Sequence, residues 1–209
     1  NNNFLIEERG VFWAKVTIKG KTSHAGEPEK GINSIINASK LILDLDKKYR
    51  KKLKRFNSGI HKSTISIGII KGGENVNVVP YKTEILIDRR ITNKESIKYS
   101  FRHLKDYLNK RFNSPKIEFL TGTNPFKSNP KNVHLINLIK SFKKIKKSNP
   151  KFLSSIGVSD GRYFADDKVN IINVGPGSGD EGHKSNEKLI NKELLEYYLI
   201  LEDFLSKLD

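Results

Sequence analysis

The stretch Phe12-Trp13-Ala14-Lys15-Val16-Thr17-Ile18-Lys19 alternates strictly, with Phe12, Ala14, Val16 and Ile18 on one side and the remaining four residues on the other. Period two is the repeat of a strand, because successive side chains of an extended chain point to opposite faces. The segments C-terminal to this strand decide how it is used. From Ile32 to Leu45 the apolar residues are too dense for so long a strand, and Ile32, Ile35, Ile36, Ile42 and Leu43 suit a helix. Ser63 to Ile70 is β-branched and alternating and ends at Gly72-Gly73, a turn signal; Val78 to Ile91 is a second such strand. Ile97, Phe101, Leu104 and Leu108 mark an amphipathic helix, and Ile117 to Leu120 offers a final strand. This order predicts a split β-α-β (ferredoxin-like) unit: an antiparallel sheet with two helices on one face.

From Ser114-Pro115 to Pro130 the chain turns rich in Pro, Asn, Ser and Gly, so a domain boundary is expected there, dividing residues 9–113 from 114–209. In the second half, Leu135, Leu138, Ile139 and Phe142 predict a helix and Val169 to Val174 a short apolar strand. Leu194, Tyr198, Leu201 and Leu205 predict a terminal helix. So few elements make a poor sheet by themselves, and this α/β half is expected to need a partner.

Composition narrows the classes further. With 209 residues, 36% of them hydrophobic and 30% charged, the chain can bury a core and is not of disordered type. No apolar run approaches the roughly 20 residues that span a bilayer, and Asn1-Asn2-Asn3-Phe4 is not a secretory signal. The absence of cysteine removes disulfides and thiolate metal sites and suits a reducing cytoplasm. A first residue of Asn and no Met at all suggest a fragment or processed form. The formal charge of +16 is concentrated in Lys47 to Arg55 and Lys143 to Lys147. Both runs continue amphipathic helices onto their solvent sides, and aromatic residues are not interleaved with them. No nucleic-acid or membrane partner is therefore expected.

Four segments carry candidate chemistry. Gly20-Lys21-Thr22-Ser23-His24-Ala25-Gly26-Glu27-Pro28, followed by Gly31-Ile32-Asn33, places His24 in a turn directly after a strand. There it can donate to an oxyanion or act as acid or base, or merely cap the next helix. Gly72-Gly73-Glu74-Asn75-Val76-Asn77-Val78-Val79-Pro80 leads through a strand to Asp88-Arg89-Arg90. Arg90 alternates onto the face opposite Ile85 and Ile87. Its guanidinium suits a carboxylate, whether of a ligand or of Asp88. Gly157-Val158-Ser159-Asp160-Gly161-Arg162 is a glycine-bracketed turn whose N–H groups suit an anion, or in which Ser159 is only an N-cap. Gly175-Pro176-Gly177, then Gly182-His183-Lys184-Ser185-Asn186-Glu187, puts His183 in a loop after an apolar strand, where a lone histidine specifies no metal.

Taken together and in this order, the segments resemble the zinc-dependent amidohydrolases of the acetylornithine deacetylase, succinyl-diaminopimelate desuccinylase and carboxypeptidase G family, over essentially the whole chain. The family's Gly-Lys-x-x-His-Ala element, its Gly-x-Asn, its Asn-Val-(Val/Ile)-Pro and the arginine thirteen residues past that asparagine match His24, Asn33, Asn77 and Arg90. Ser159 to Arg162 and Gly175 to Glu187 match its later elements. The resemblance implies a lid or dimerisation domain at 9–113, then the C-terminal part of an α/β zinc-peptidase catalytic domain, with a homodimer formed through the lid. It implies two zinc ions per complete site, with cobalt or manganese as substitutes, and hydrolysis of the amide of an N-acyl amino acid or small peptide. His183 would be a metal ligand and His24 would meet the oxyanion. Asn77 and Arg90 would hold the substrate carboxylate, and Gly157, Val158 and Ser159 would line its pocket. Val158 stands where threonine is common in the desuccinylases, a departure from their pattern at the acyl contact. The remaining ligands of the family precede its lid, and no matching His-x-Asp or Glu-Glu occurs here; Glu7-Glu8 sits at the edge of the lid. The chain is accordingly expected to be inactive alone, the alternative being a non-catalytic dimerisation module.

Overall fold

The computed structural model describes residues 3–167, 169–177, 181 and 184–208. In chain order the elements are β1 (Asn3–Glu8), β2 (Gly10–Lys19), α1 (Ser34–Asp44), α2 (Arg50–Leu53), β3 (Thr64–Gly72), β4 (Lys82–Ile91), α3 (Ile97–Asn109), β5 (Lys116–Thr123), β6 (Phe126–Lys127), α4 (Val133–Lys146), β7 (Lys151–Ser155) and α5 (Asn191–Leu205). They fall into two compact units, Arg9–Pro125 and Asn1–Glu8 with Phe126–Asp209.

In the Arg9–Pro125 unit the strands lie in the order β3-β4-β2-β5, every neighbouring pair antiparallel. This is the split β-α-β sheet expected from periodicity. The unit runs to Pro125 rather than Asn113, because Lys116–Thr123 pairs along β2 from Val11↔Thr123 to Thr17↔Lys116. One face is apolar: Phe12, Ala14, Val16 and Ile18 of β2 join Ile85, Ile87 and Ile91 of β4. Over it pack Ala38 and Leu41 of α1, Leu45, Tyr49 and Leu53 beyond it, and Leu104, Tyr107 and Leu108 of α3. A π-helical segment, Leu45–Tyr49, joins α1 to α2, so the first helical layer reaches well past Leu45. Asn33 starts that layer as its N-cap, its side chain accepting from the N–H groups of Ile35 (2.9 Å) and Ile36 (3.1 Å).

One charged residue belongs to the apolar row. Arg89 is fully buried and pairs with the equally buried Glu95, Nη2 to Oε1 at 2.5 Å. Glu95 also accepts from Ser63 Oγ (2.5 Å) and Ser100 Oγ (2.9 Å), while Arg89 donates to the carbonyls of Thr64 and Arg90. Nearby, Tyr49 bonds His103 Nδ1 (3.0 Å) and Arg55 lies 3.0 Å from His103 Nε2. A guanidinium only donates, so Nε2 accepts and Nδ1 carries the proton. Burial, reinforced by Arg55, holds the His103 pKa below its ordinary value. Burial pushes the Tyr49 hydroxyl up to about 12.

The other unit is built on β1, which pairs antiparallel with β6 and parallel with β7. Phe4 of β1 packs against Leu135, Leu138 and Phe142 of α4 and Tyr197 and Ile200 of α5. The strand expected at Val169 to Val174 is not formed: only Asn173 bridges, to Leu5, with mutual backbone bonds of 2.9 Å. The α5 row expected to face inward is also displaced. Tyr197 and Ile200 are buried, whereas Leu194, Tyr198, Leu201 and Leu205 are exposed. The helix is apolar on more than one face, and α4 covers only one of them. Among the described residues no helix is long and apolar enough to cross a membrane.

The buried polar groups set two measurable outcomes. Glu95→Gln, which leaves Arg89 charged and without its counterion, is expected to cost about 3–5 kcal/mol in urea unfolding. His103 takes up a proton less readily folded than unfolded. Stability should therefore fall as pH drops through the ordinary histidine range near 6.5 and level off below the depressed folded value. Unfolding midpoints between pH 7.5 and 5 should lose part of that slope in His103→Gln.

Candidate functional site

Gly20 ends β2 where three segments meet. Its N–H donates to the Tyr81 carbonyl (2.6 Å), and a Cβ there would lie 2.0 Å from the Ile32 carbonyl oxygen. Only glycine lets the backbones approach so closely. Lys21 and Ile32 exchange backbone bonds of 2.9 and 2.8 Å, and Ser34 N–H donates to Pro80 (3.0 Å). Beyond this knot the two loops stay in register: Val79 N–H donates to Ser23 O and Ala25 N–H to Asn77 O, each at 2.9 Å, with His24 bridging Val78. The Val78 to Tyr81 stretch, expected as strand, is therefore spent on holding the His24 loop.

His24 is exposed, and its Nδ1 accepts the Gly26 N–H at 3.0 Å. An accepting Nδ1 assigns the proton of the neutral ring to Nε2, which is thereby left as a donor. Asn77 is also exposed, its carbonyl joined to Ala25. These two candidate residues are thus brought to one end of the sheet by backbone bonds alone.

Arg90 is not with them. It lies at the far end of β4, and the eight residue steps from Lys82 to Arg90 span about 26 Å at roughly 3.3 Å per residue. One copy of this unit does not bring Asn77 and Arg90 onto a single carboxylate. Arg90 does occupy the face opposite Ile85 and Ile87, as its alternation indicates, but its fork is engaged. Nε and Nη2 donate to the two Asp88 oxygens at 2.8 and 3.0 Å, and Trp13 Nε1 donates to the same carboxylate at 3.0 Å. Arg9, whose pKa is lowered by burial and then by Arg90, stands close enough to sense this pair.

In the other unit, the Gly157–Ser159 turn uses its donors internally. Gly157 N–H donates to Ser155 Oγ (3.1 Å), and Ser159 N–H to Glu8 Oε2 (2.8 Å). Ser159 Oγ caps the 3-10 turn Asp160–Phe164 by accepting from Gly161 N–H (3.2 Å). Ser159 is therefore the N-cap of that turn, and Val158 is half-buried between two tethered neighbours. His183, the expected metal ligand, lies outside the described residues. Among the described residues no group of three or more His, Asp or Glu side chains is placed to hold a metal ion.

Two residues of these networks do not stand out as candidates by residue type or motif. Arg89 continues the Ile85, Ile87 row of β4, and a charge on an otherwise apolar period-two row is the signal that marks it; Asn3–Glu8, with Phe4, Leu5 and Ile6 in succession, gives no such signal for Glu8.

A peptidase dimerisation domain, that of the M20 peptidases, matches residues 6–114. The succinyl-diaminopimelate desuccinylase of Wigglesworthia glossinidia brevipalpis is 29% identical over 202 residues, covering 96% of this chain and 52% of the relative. That of Aliarcobacter butzleri is 29% identical over 192 residues, covering 90% and 50%. The chain spans about half the length of the curated relatives it matches. Among solved structures, the aminopeptidase PepT of Bacillus cereus superposes with a TM-score of 0.73 at 24% identity, over 99% of this chain and 54% of that one. The M20 family metallo-carboxypeptidase Sso-CP2 of Sulfolobus solfataricus gives 0.72 at 15% identity, over 97% and 59%. The split sheet of Arg9–Pro125 and the smaller α/β unit are thus the fold of these enzymes, at low identity. Since the dimerisation-domain match takes in more than half of the 209 residues, the chain belongs to the M20 peptidase dimerisation domain family.

Proposed function

We propose that the protein is a metal-dependent amidohydrolase that cleaves the amide of an N-acyl amino acid or small peptide. These residues would contribute a dimerising lid and part of the catalytic unit. The observation that carries the reading is the family match over residues 6–114, with His24 held in the β2 turn beside Asn77. The Nε2–H that the Gly26 contact assigns to His24 is the donor a developing oxyanion requires. Arg90 is suited to a substrate carboxylate once it shares or exchanges the Asp88 contact.

A homodimer is supported by what the lid leaves open. β3 is an edge strand carrying exposed Ile69 and Ile70, and α1 presents exposed Ile36 and Leu43. A second copy pairing there would meet both the free strand edge and the apolar helix face. It would also reconcile Asn77 and Arg90, which stand at opposite ends of β4, by letting two copies furnish them. The exposed Leu194, Tyr198, Leu201 and Leu205 of α5, with Phe152 and Leu153 on the outer strand β7, support a catalytic unit that further chain must cover.

The family resemblance points to a pair of zinc ions, but the described side chains do not form such a site, so no step is assigned to metal. The 209-residue chain dialysed against trace zinc is expected to keep well under one ion per chain and to release no succinate from N-succinyl-diaminopimelate. Two tightly held ions together with turnover would overturn this division of the site. In protein carrying the complete ligand set, His24→Ala should lower kcat by roughly a hundredfold to a thousandfold with little change in KM, the weight of one oxyanion donor.

A further inference from the structure

Glu8 is the one fully buried charged side chain among the described residues of the unit formed by Asn1–Glu8 and Phe126–Asp209. No lysine or arginine among the described residues pairs with it. A carboxylate withdrawn from water without a counterion is tolerated only where N–H donors replace its hydration. Two do so here, from segments far away in the chain. Ser159 N–H reaches Oε2 at 2.8 Å, and Asn173 Nδ2 reaches Oε1 at 2.7 Å.

The contacts beyond them close a ring. Asn173 Nδ2 also donates to Ser159 Oγ at 2.7 Å, and that oxygen in turn accepts Gly161 N–H. Asn173 is itself fixed to β1 through its two backbone bonds to Leu5. Glu8 thus ties β1, the Ser159 turn and the Asn173 segment together. With Gly157 anchored to Ser155 and Ser159 to Glu8, Val158 is set from both sides.

We propose that Glu8 is a positioning residue for the Gly157–Ser159 loop, fixing the conformation in which that loop meets substrate. The Ser159 N–H, spent on Glu8, is not offered to the ligand, and the loop presents Val158 instead. This rests on the function proposed above only in its second half, because the clamp exists whatever the substrate.

The test therefore has two arms. In the first, amide exchange of the 209-residue chain is followed residue by residue by NMR. Glu8→Ala is expected to speed exchange at Ser159 by roughly tenfold to a hundredfold, the weight of a hydrogen bond to a charged group, with Val16 and Ile87 unchanged as controls. Glu8→Gln keeps the shape but turns one acceptor into a donor, and should fall between. Should Glu8→Ala not fold, Asn173→Ala removes the other donor and is read in the same way. In the second arm, protein carrying the complete site is assayed on N-succinyl-diaminopimelate. KM should rise about tenfold with kcat within about twofold, since a displaced contact loop weakens binding rather than chemistry. Unchanged Ser159 exchange in the folded variants overturns the clamp. Faster exchange with unaltered KM overturns its role in meeting substrate. An inactive wild type removes the proposed function and leaves the first arm to decide the clamp.

Discussion

The pair Arg89–Glu95 is the contact on which the larger unit depends. A guanidinium stands in the middle of the apolar row of β4, where nothing but a carboxylate with further donors can compensate it. Meeting that demand draws in Ser63 at the start of β3, Thr92 at the exit of β4 and Ser100 in the first turns of α3. A slip of one residue would turn Ile85, Ile87 and Ile91 to the open face, and it would carry Arg89 with them and strand Glu95, so the ion pair adds a charge penalty to a register that burial of one face already specifies. Its guanidinium also holds the Arg90 carbonyl, so the residue best suited to a carboxylate begins from a backbone fixed by the core.

Such polar demands are the least legible part of the sequence. The antiparallel sheet of the Arg9–Pro125 unit and its helices α1 and α3 follow from alternation in Phe12 to Lys19 and Ser63 to Ile70, from the apolar density of Ile32 to Leu45 and from the spacing of Ile97, Phe101, Leu104 and Leu108. These are local patterns, each dictated by burial of one face. β1 and β7 lack such a pattern. Asn3–Glu8 mixes two glutamates with apolar residues, Lys151–Ser155 is short, and each is a strand because it pairs with the other across most of the chain. The reverse holds at Val169 to Val174, where apolar composition implies a strand but only Asn173 finds a partner. In α5 the apolar residues are too many to identify the buried face by counting, and the packing of α4 against Tyr197 and Ile200 makes the choice.

The candidate site divides along the same line. His24 and Asn77 can be named from residue type and placement, and both loops do meet, by a route spacing alone does not reveal: backbone bonds across a glycine knot at Gly20. Arg90 can be placed on its face but not at its distance, since a strand carries its two ends apart by its own length. The Ser159 turn has the look of a seat for an anion, and it is one; the anion is Glu8, supplied from the end of a strand that no alternating pattern announces.

Trp13 gives the molecule a property of another kind. It is the only tryptophan in the chain, it is 52% exposed, and its indole N–H rests on the carboxylate that grips Arg90. Any event that draws Asp88 away from Arg90 or neutralises it alters the field around that one indole. This chain thus carries its own optical reporter, wired to a single arginine and undiluted by any other tryptophan among its 209 residues.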